Sequence, residues 1–315
     1  MYHNKTDKVI VYEPTPTASG FDYVTTNSGG LKTHGVELTT SARIINKKNF
    51  NWDAGFNFGT YSTKVTQLPT AKIITSFGGA TYITQVGGAP NDFYGHQANG
   101  VYVSDAVAAS EGLSIRKADG TLVSFKGGDI RFADLNGDKI IDDNDRTVLG
   151  NPNPDLYGSF YNKFSYKRFS LNTVFTFSYG NEIYNYTRAQ LEGMSNAYNQ
   201  TTAVLNRWKN NGEVTNMPKA TWGDPMGNSR FSSRFIEDGS YLRLRVVTFS
   251  YNVPIKANFF KYATVYATGN NLITLTNYKG YDPEFSATES IFGQGVDNTL
   301  EPQFRSVQVG FRIGL

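Results

Sequence analysis

Arg305-Ser306-Val307-Gln308-Val309-Gly310-Phe311-Arg312-Ile313-Gly314-Leu315 reads with a strict period of two. Val307, Val309, Phe311, Ile313 and Leu315 fall on one side, and Ser306, Gln308, Gly310, Arg312 and Gly314 on the other. Successive side chains of a strand point to opposite faces, so this is a β-strand that is apolar on one face only. The pattern holds for about ten residues, the length a tilted strand needs to cross a bilayer; strands of soluble proteins run nearer five or six. The apolar face is expected to meet lipid.

Working outward, the same alternation recurs. Ser170–Tyr179 sets Leu171, Thr173, Phe175, Phe177 and Tyr179 against Asn172, Val174, Thr176 and Ser178. Asn51–Thr60 sets Trp52, Ala54, Phe56 and Phe58 against Asp53, Gly55, Asn57 and Gly59. In Tyr241–Val253, strict alternation puts Val247, Phe249, Tyr251 and Val253 on a face that starts with Arg243 and Arg245. Gly35–Ile45, Leu156–Tyr166 and Tyr262–Leu272 follow the pattern more weakly, for about seven strands including one near the start. The connections alternate too. Asn46–Asn49, Lys167–Arg168 and Pro254–Lys261 are short, whereas Ser62–Pro154, Gly180–Ser240 and Thr274–Gln303 are long. Soluble domains seldom carry several structureless loops of that size, but membrane barrels join short turns on one side to long loops on the other. Leu191, Met194, Tyr198, Leu205 and Trp208 have near-helical spacing and predict one helix over Arg188–Asn210, closed by Asn210-Asn211-Gly212.

Composition agrees with an all-β chain. Tyr 20, Phe 22 and Gly 31 outweigh a charged fraction of 18%. A net charge of +3 without a Lys/Arg block argues against nucleic acid. With Cys 0 there are no disulfides and no thiolate metal sites. No run reaches the roughly 18 apolar residues of a spanning helix. Mean hydropathy is −0.40, which a barrel tolerates because each strand is apolar on one face. Met1–Lys8 has no apolar h-region, so an export signal is expected upstream.

Asp134-Leu135-Asn136-Gly137-Asp138-Lys139-Ile140-Ile141-Asp142-Asp143-Asn144-Asp145 is the sharpest local motif. Asp134, Asn136, Asp138, Asp142 and Asp145 occupy loop positions 1, 3, 5, 9 and 12, and Ile140 at position 7 offers its carbonyl. That spacing lets a short loop wrap Ca²⁺ with oxygens, so a structural Ca²⁺ is expected here. Two residues depart from the pattern: Lys139 stands where Gly is usual, and Asp145 where the longer Glu is usual. Enzymatic constellations are absent. His3, His34 and His96 have no ligand spacing, and no nucleophile elbow, phosphate loop or dinucleotide fingerprint occurs. The loop aromatics, among them Tyr82, Phe93, Tyr184, Tyr278 and Tyr281, could pack loops together or stack on sugar rings.

Gly128-Asp-Ile-Arg-Phe-Ala-Asp134-Leu-Asn-Gly-Asp138, followed by Asp142-Asp-Asn-Asp145-Arg-Thr-Val-Leu-Gly-Asn-Pro-Asn-Pro154, resembles the signature of SusC/RagA-type TonB-dependent transporters. Phe235–Arg245, Val265–Leu272, Tyr278–Glu284 and Gly35–Leu38 resemble further stretches of that family, so the likeness spans nearly the whole chain. The resemblance implies that residues 1–315 are the carboxy-terminal portion of a 22-stranded transmembrane barrel with long extracellular loops, one of them holding a short helix. It implies the outer membrane of a Gram-negative, Bacteroidetes-like bacterium. It also implies import of oligosaccharides or peptides beneath a SusD-like lipoprotein, powered through TonB by a plug domain that lies outside this sequence. In the family the acidic loop is extracellular, and the usual terminal aromatic is Leu315 here. About seven strands cannot close so wide a barrel, so the chain alone is expected to transport nothing. The main rival is a secreted Ca²⁺-dependent glycan-binding β-sandwich, which requires short loops between short strands; a carbohydrate-active enzyme, the second, requires convergent carboxylates.

Overall fold

The computed structural model describes residues 1–15, 17–21, 23–255, 259–285 and 293–314. Eight long strands form one antiparallel sheet: β1 (Tyr2–Pro14), β2 (Tyr23–Lys47), β3 (Phe50–Gln67), β4 (Leu156–Tyr166), β5 (Phe169–Tyr179), β6 (Tyr241–Val253), β7 (Tyr262–Thr276) and β8 (Ser306–Gly314). Each pairs with its neighbours in this order, a simple meander whose edges, among the described residues, are β1 and β8. The seven runs named from the sequence lie in β2 to β8. The strand expected near the start is β1, although Asn4-Lys5-Thr6-Asp7-Lys8 within it carries no apolar period. At 25 residues β2 is far longer than the nine to eleven or so that span a bilayer, so the β1–β3 ribbon projects beyond it.

Cross-strand register sorts the side chains by face. Val307, Val309, Phe311 and Ile313 stand opposite Gly269, Ala267, Val265 and Ala263. Ala267 and Val265 in turn face Phe249 and Tyr251, which face Leu171 and Phe169. The apolar side continues through Phe175 and Phe177 of β5, Phe160 and Phe164 of β4, and Trp52, Phe56 and Phe58 of β3. Rings stack along it, Phe160 on Phe175 at 4.6 Å and Trp52 on Phe164 at 5.6 Å. Val307, Val309 and Phe311 present 72%, 78% and 76% of their surface outward, on the face suited to lipid. The other face carries Asn57, Ser159, Asn172, Thr248, Thr268 and Gln308. Leu315 lies outside the described residues.

Strict alternation fails in β6. A register shift between Leu244 and Val246 leaves Arg245 as an extra residue relative to β5, and the parity reverses there. Leu242 and Leu244 therefore share the lipid face with Val247 and Phe249. Arg243, which alternation places among those apolar residues, turns to the polar face instead and is 1% exposed.

The short turns 48–49 and 167–168 lie at one end of the sheet and the described residues of the long connections at the other. Lys167 takes φ 52°, as tight hairpins demand. The long connections are folded rather than structureless. Residues 68–155 build a four-stranded sheet from Lys72–Phe77, Ala80–Gln85, Asp92–His96 and Arg146–Gly150, with a helix, α1 (Asp105–Glu111), capped by the Ser104 hydroxyl. The helix expected over Arg188–Asn210 is also corrected. It reduces to α2 (Tyr186–Leu191) and a 3₁₀ turn at Thr202–Asn206. Gly193 weakens a helix interior, and Met194 at φ 49° turns the chain out of it.

Candidate functional site

The end of the sheet bearing the long connections carries a cap with its own core. Ala80, Tyr82 and Phe93 from residues 68–155, Tyr184, Ala189 and Phe235 from 180–240, and Val296 from 277–305 form one buried cluster. Phe93 packs on Tyr82 at 5.2 Å, and the Tyr82 hydroxyl donates to the Gln294 carbonyl at 2.9 Å. Tyr184 and Asn185 pair in parallel with Val296 and Asp297, so the three connections interlock. Most of the loop aromatics thus hold the cap together. Tyr198, Trp222 and Tyr281 remain exposed.

Buried charges staple the same junction. Arg188 bridges Glu192 and Glu237, and Arg234 stacks on Phe235. Burial, reinforced by the hydrogen bond its hydroxyl donates to the Asp297 carboxylate at 2.6 Å, holds the Tyr278 phenol far above its ordinary range. Burial pushes Asp92 from 3.8 up to about 6, the Ala89 backbone N–H opposing the shift and the Glu182 carboxylate reinforcing it. A carboxyl raised on folding contributes stability that is complete below about pH 4 and lost as pH rises through about 6. Asp92→Asn is therefore expected to protect residues 80–96 better than the parent at pH 7.5, by on the order of 2 kcal/mol in hydrogen exchange, with the gap closing towards pH 4. Equal protection at both pH values contradicts this.

The acidic loop is a chain of side-chain-capped turns. Asp134 accepts from the Gly137 and Lys139 N–H groups at 2.7 and 3.1 Å, Asn136 from Asp138 at 3.0 Å, and Asp138 from Ile140 at 2.8 Å. Asp142 accepts from Asn144 at 2.7 Å, and buried Asp145 accepts from Leu135 and Asp142 at 2.8 and 2.9 Å. Lys139 adopts φ 68°, the left-handed conformation that the Ca²⁺-loop pattern assigns to Gly. The donors are all oxygen, as a hard cation requires, and each carboxylate keeps spare lone pairs. Among the described residues, however, no three or more His, Cys, Asp or Glu side chains are grouped as a metal site. His96 is buried against the loop, its Nε2 2.9 Å from the Asp142 carbonyl, and burial lowers its pKa. His3 and His34, far apart in sequence, stand opposite each other across β1 and β2.

At the cap end of the polar face, the bulge delivers Arg243 to the third connection. Its guanidinium pairs with Asp282 and, at 3.4 Å, with Glu284, while Arg245 pairs with Glu284 and donates to Asn271 at 3.3 Å. Asp282 also accepts the Glu284 and Gln303 N–H groups at 2.9 and 2.8 Å, so one carboxylate ties both limbs of residues 277–305 to the wall. Beside it lies a cleft of about 500 Å³ whose lining includes Arg243, Thr274, Tyr281, Gln303, Phe304 and Arg305. The sequence did hold a signal for this inward arginine: apolar residues sit at even positions in Leu242 and Leu244 but at odd ones from Val247 on.

A sheet with one lipid-suited face, one polar face and a folded cap at one end defines a segment of a transmembrane β-barrel. The comparisons agree. TonB-dependent receptor P3 of Formosa agariphila is 34% identical over 293 residues, covering 90% of this chain and 28% of that receptor. TonB-dependent receptor SusC of Bacteroides thetaiotaomicron is 26% identical over 347 residues, covering 99% of this chain and 29% of SusC. A solved structure of the RagAB peptide transporter superposes with a TM-score of 0.76 at 25% identity, covering 99% of this chain and 32% of that one. No protein-family model matches. The chain is recognised as part of a SusC/RagA-type TonB-dependent receptor, and it spans about a third or less of the relatives it matches. Those relatives are named as receptors, and the solved structures as transporters, not as enzymes.

Proposed function

We infer that the chain forms part of the wall and outer rim of a nutrient importer in the outer membrane of a Bacteroidetes-like bacterium. The observation that carries this is the division of one continuous sheet into an apolar and a polar face, with the described residues of the long connections at one end. In a β-sandwich the apolar face would be covered by a second sheet; here Phe249, Val265, Val307, Val309 and Phe311 on that face are exposed. Import of an oligosaccharide or a peptide, a SusD-like lipoprotein over the cap, and drive through TonB by contacts outside this chain follow from the likeness to SusC and to the RagAB transporter. Membrane fractionation of the chain, with a labelled-uptake assay on the parent-length receptor, tests the reading. Recovery of the chain as a soluble species needing no detergent overturns it.

The acidic loop is proposed as a structural Ca²⁺ site through Asp134, Asn136, Asp138, Ile140, Asp142 and Asp145, supported by its spacing and by the left-handed Lys139. Calorimetry is expected to show binding that Asp138→Ala abolishes, and no heat with the parent chain removes the metal. Lys139→Gly is expected to stabilise the loop by about 1 kcal/mol with or without metal, because glycine adopts this φ without steric cost. Hydrogen exchange over residues 134–145 reads it.

A further inference from the structure

We propose that the cleft beside Tyr281 is a subsite for a sugar ring bearing a carboxylate. The proposal rests on the import reading and names the chemistry of its cargo. Tyr281 and Phe304 stand on the two limbs of residues 277–305 that Asp282 ties together, and they remain 81% and 76% exposed. Tyr278, three residues before Tyr281, is buried in the cap, so the outward Tyr281 ring is not owed to a general loosening of this segment. Two open rings flanking a polar floor suit the C–H face of a pyranose, and about 500 Å³ is within the range of small-molecule sites.

The floor is polar and incompletely satisfied. Arg243 spends its terminal nitrogens on Asp282 and Glu284, but its Nε is buried with no partner among the described residues. A buried donor left without an acceptor is costly unless a ligand or water supplies one. The Asp282 carboxylate is already occupied by Arg243, Gln303 and Glu284, so it contributes little net negative charge to the cleft. Arg305 is exposed at the cleft and forms no ion pair among the described residues. An arginine without a partner recognises a carboxylate by a two-pronged hydrogen bond. Thr274 and the Gln303 side chain add groups for hydroxyls. The guanidinium floor selects a carboxylate, and the open rings of Tyr281 and Phe304 favour one carried on a pyranose over one on a peptide side chain.

Calorimetry on the full chain in detergent tests this with three probes: trigalacturonate, the neutral maltotriose, and a triglutamate peptide. Trigalacturonate is expected to bind about tenfold or more tighter than either of the others, and rising salt is expected to weaken it. Arg305→Gln should erase its advantage over maltotriose, whereas Tyr281→Ala should weaken both sugars about tenfold. Both side chains are exposed, so neither change threatens folding. Trigalacturonate no tighter than maltotriose, triglutamate tighter than both, or indifference to the two variants each overturns the proposal. A parent-length receptor that imports its nutrient unchanged by Tyr281→Ala also overturns it while leaving the import reading intact; one that imports nothing removes the import reading instead.

Discussion

Arg243→Ala is expected to release residues 277–305 from the barrel wall and to cost about 3–5 kcal/mol, the usual penalty for removing one partner of a buried ion pair. The size follows from what is left behind. Asp282 is buried and would keep its charge with only two backbone N–H groups for company, and Glu284 would lose one of its two arginines. Hydrogen exchange should rise at residues 278–284 and 300–305 together, since Asp282 holds both limbs, while β4 and β5 keep their protection. Arg243→Lys should recover only part of the loss, because a point charge cannot reproduce the guanidinium fork. A change under about 1 kcal/mol, or exposure of one limb alone, would show that the clamp does not hold the segment.

The second large effect is expected from charging the lipid face. Phe175 lies near the middle of β5, in the centre of the apolar band, stacked on Phe160. Phe175→Arg should cost about 2–4 kcal/mol from the bilayer midplane alone, with the lost stacking added. Asn172→Arg, on the same strand but the polar face, should cost little. Folding of the parent-length receptor into lipid vesicles, read by the shift in gel mobility between its folded and unfolded forms, separates the two. Equal effects from both substitutions would falsify the assignment of faces, and with it the barrel.

Much of this was legible in the residues. The period of two in β8, β5 and β3 gives their faces directly, because lipid and water impose opposite demands on adjacent side chains. The alternation of short and long connections likewise marks the two ends of the sheet. The acidic loop's spacing anticipated a left-handed turn at position 139, which the backbone adopts even with Lys there. Alternation was misleading for Arg243, because one inserted residue reverses every face after it. The connections looked structureless because their core is assembled from three segments, none of which carries a period long enough to read.

The division has a physical cause. Strand direction, lipid face and loop polarity are local properties, written at a spacing of two residues by the contrast between hydrocarbon and water, and the sequence determined them by itself. The interlocked cap and the inward turn of Arg243 depend on partners far along the chain, Asp282 being 39 residues away and the Tyr82 hydroxyl's acceptor 212 away. Such contacts exist only once the sheet has brought its long connections to one end, so only the tertiary structure decided which loop residues form the core and which, like Tyr281, stay open.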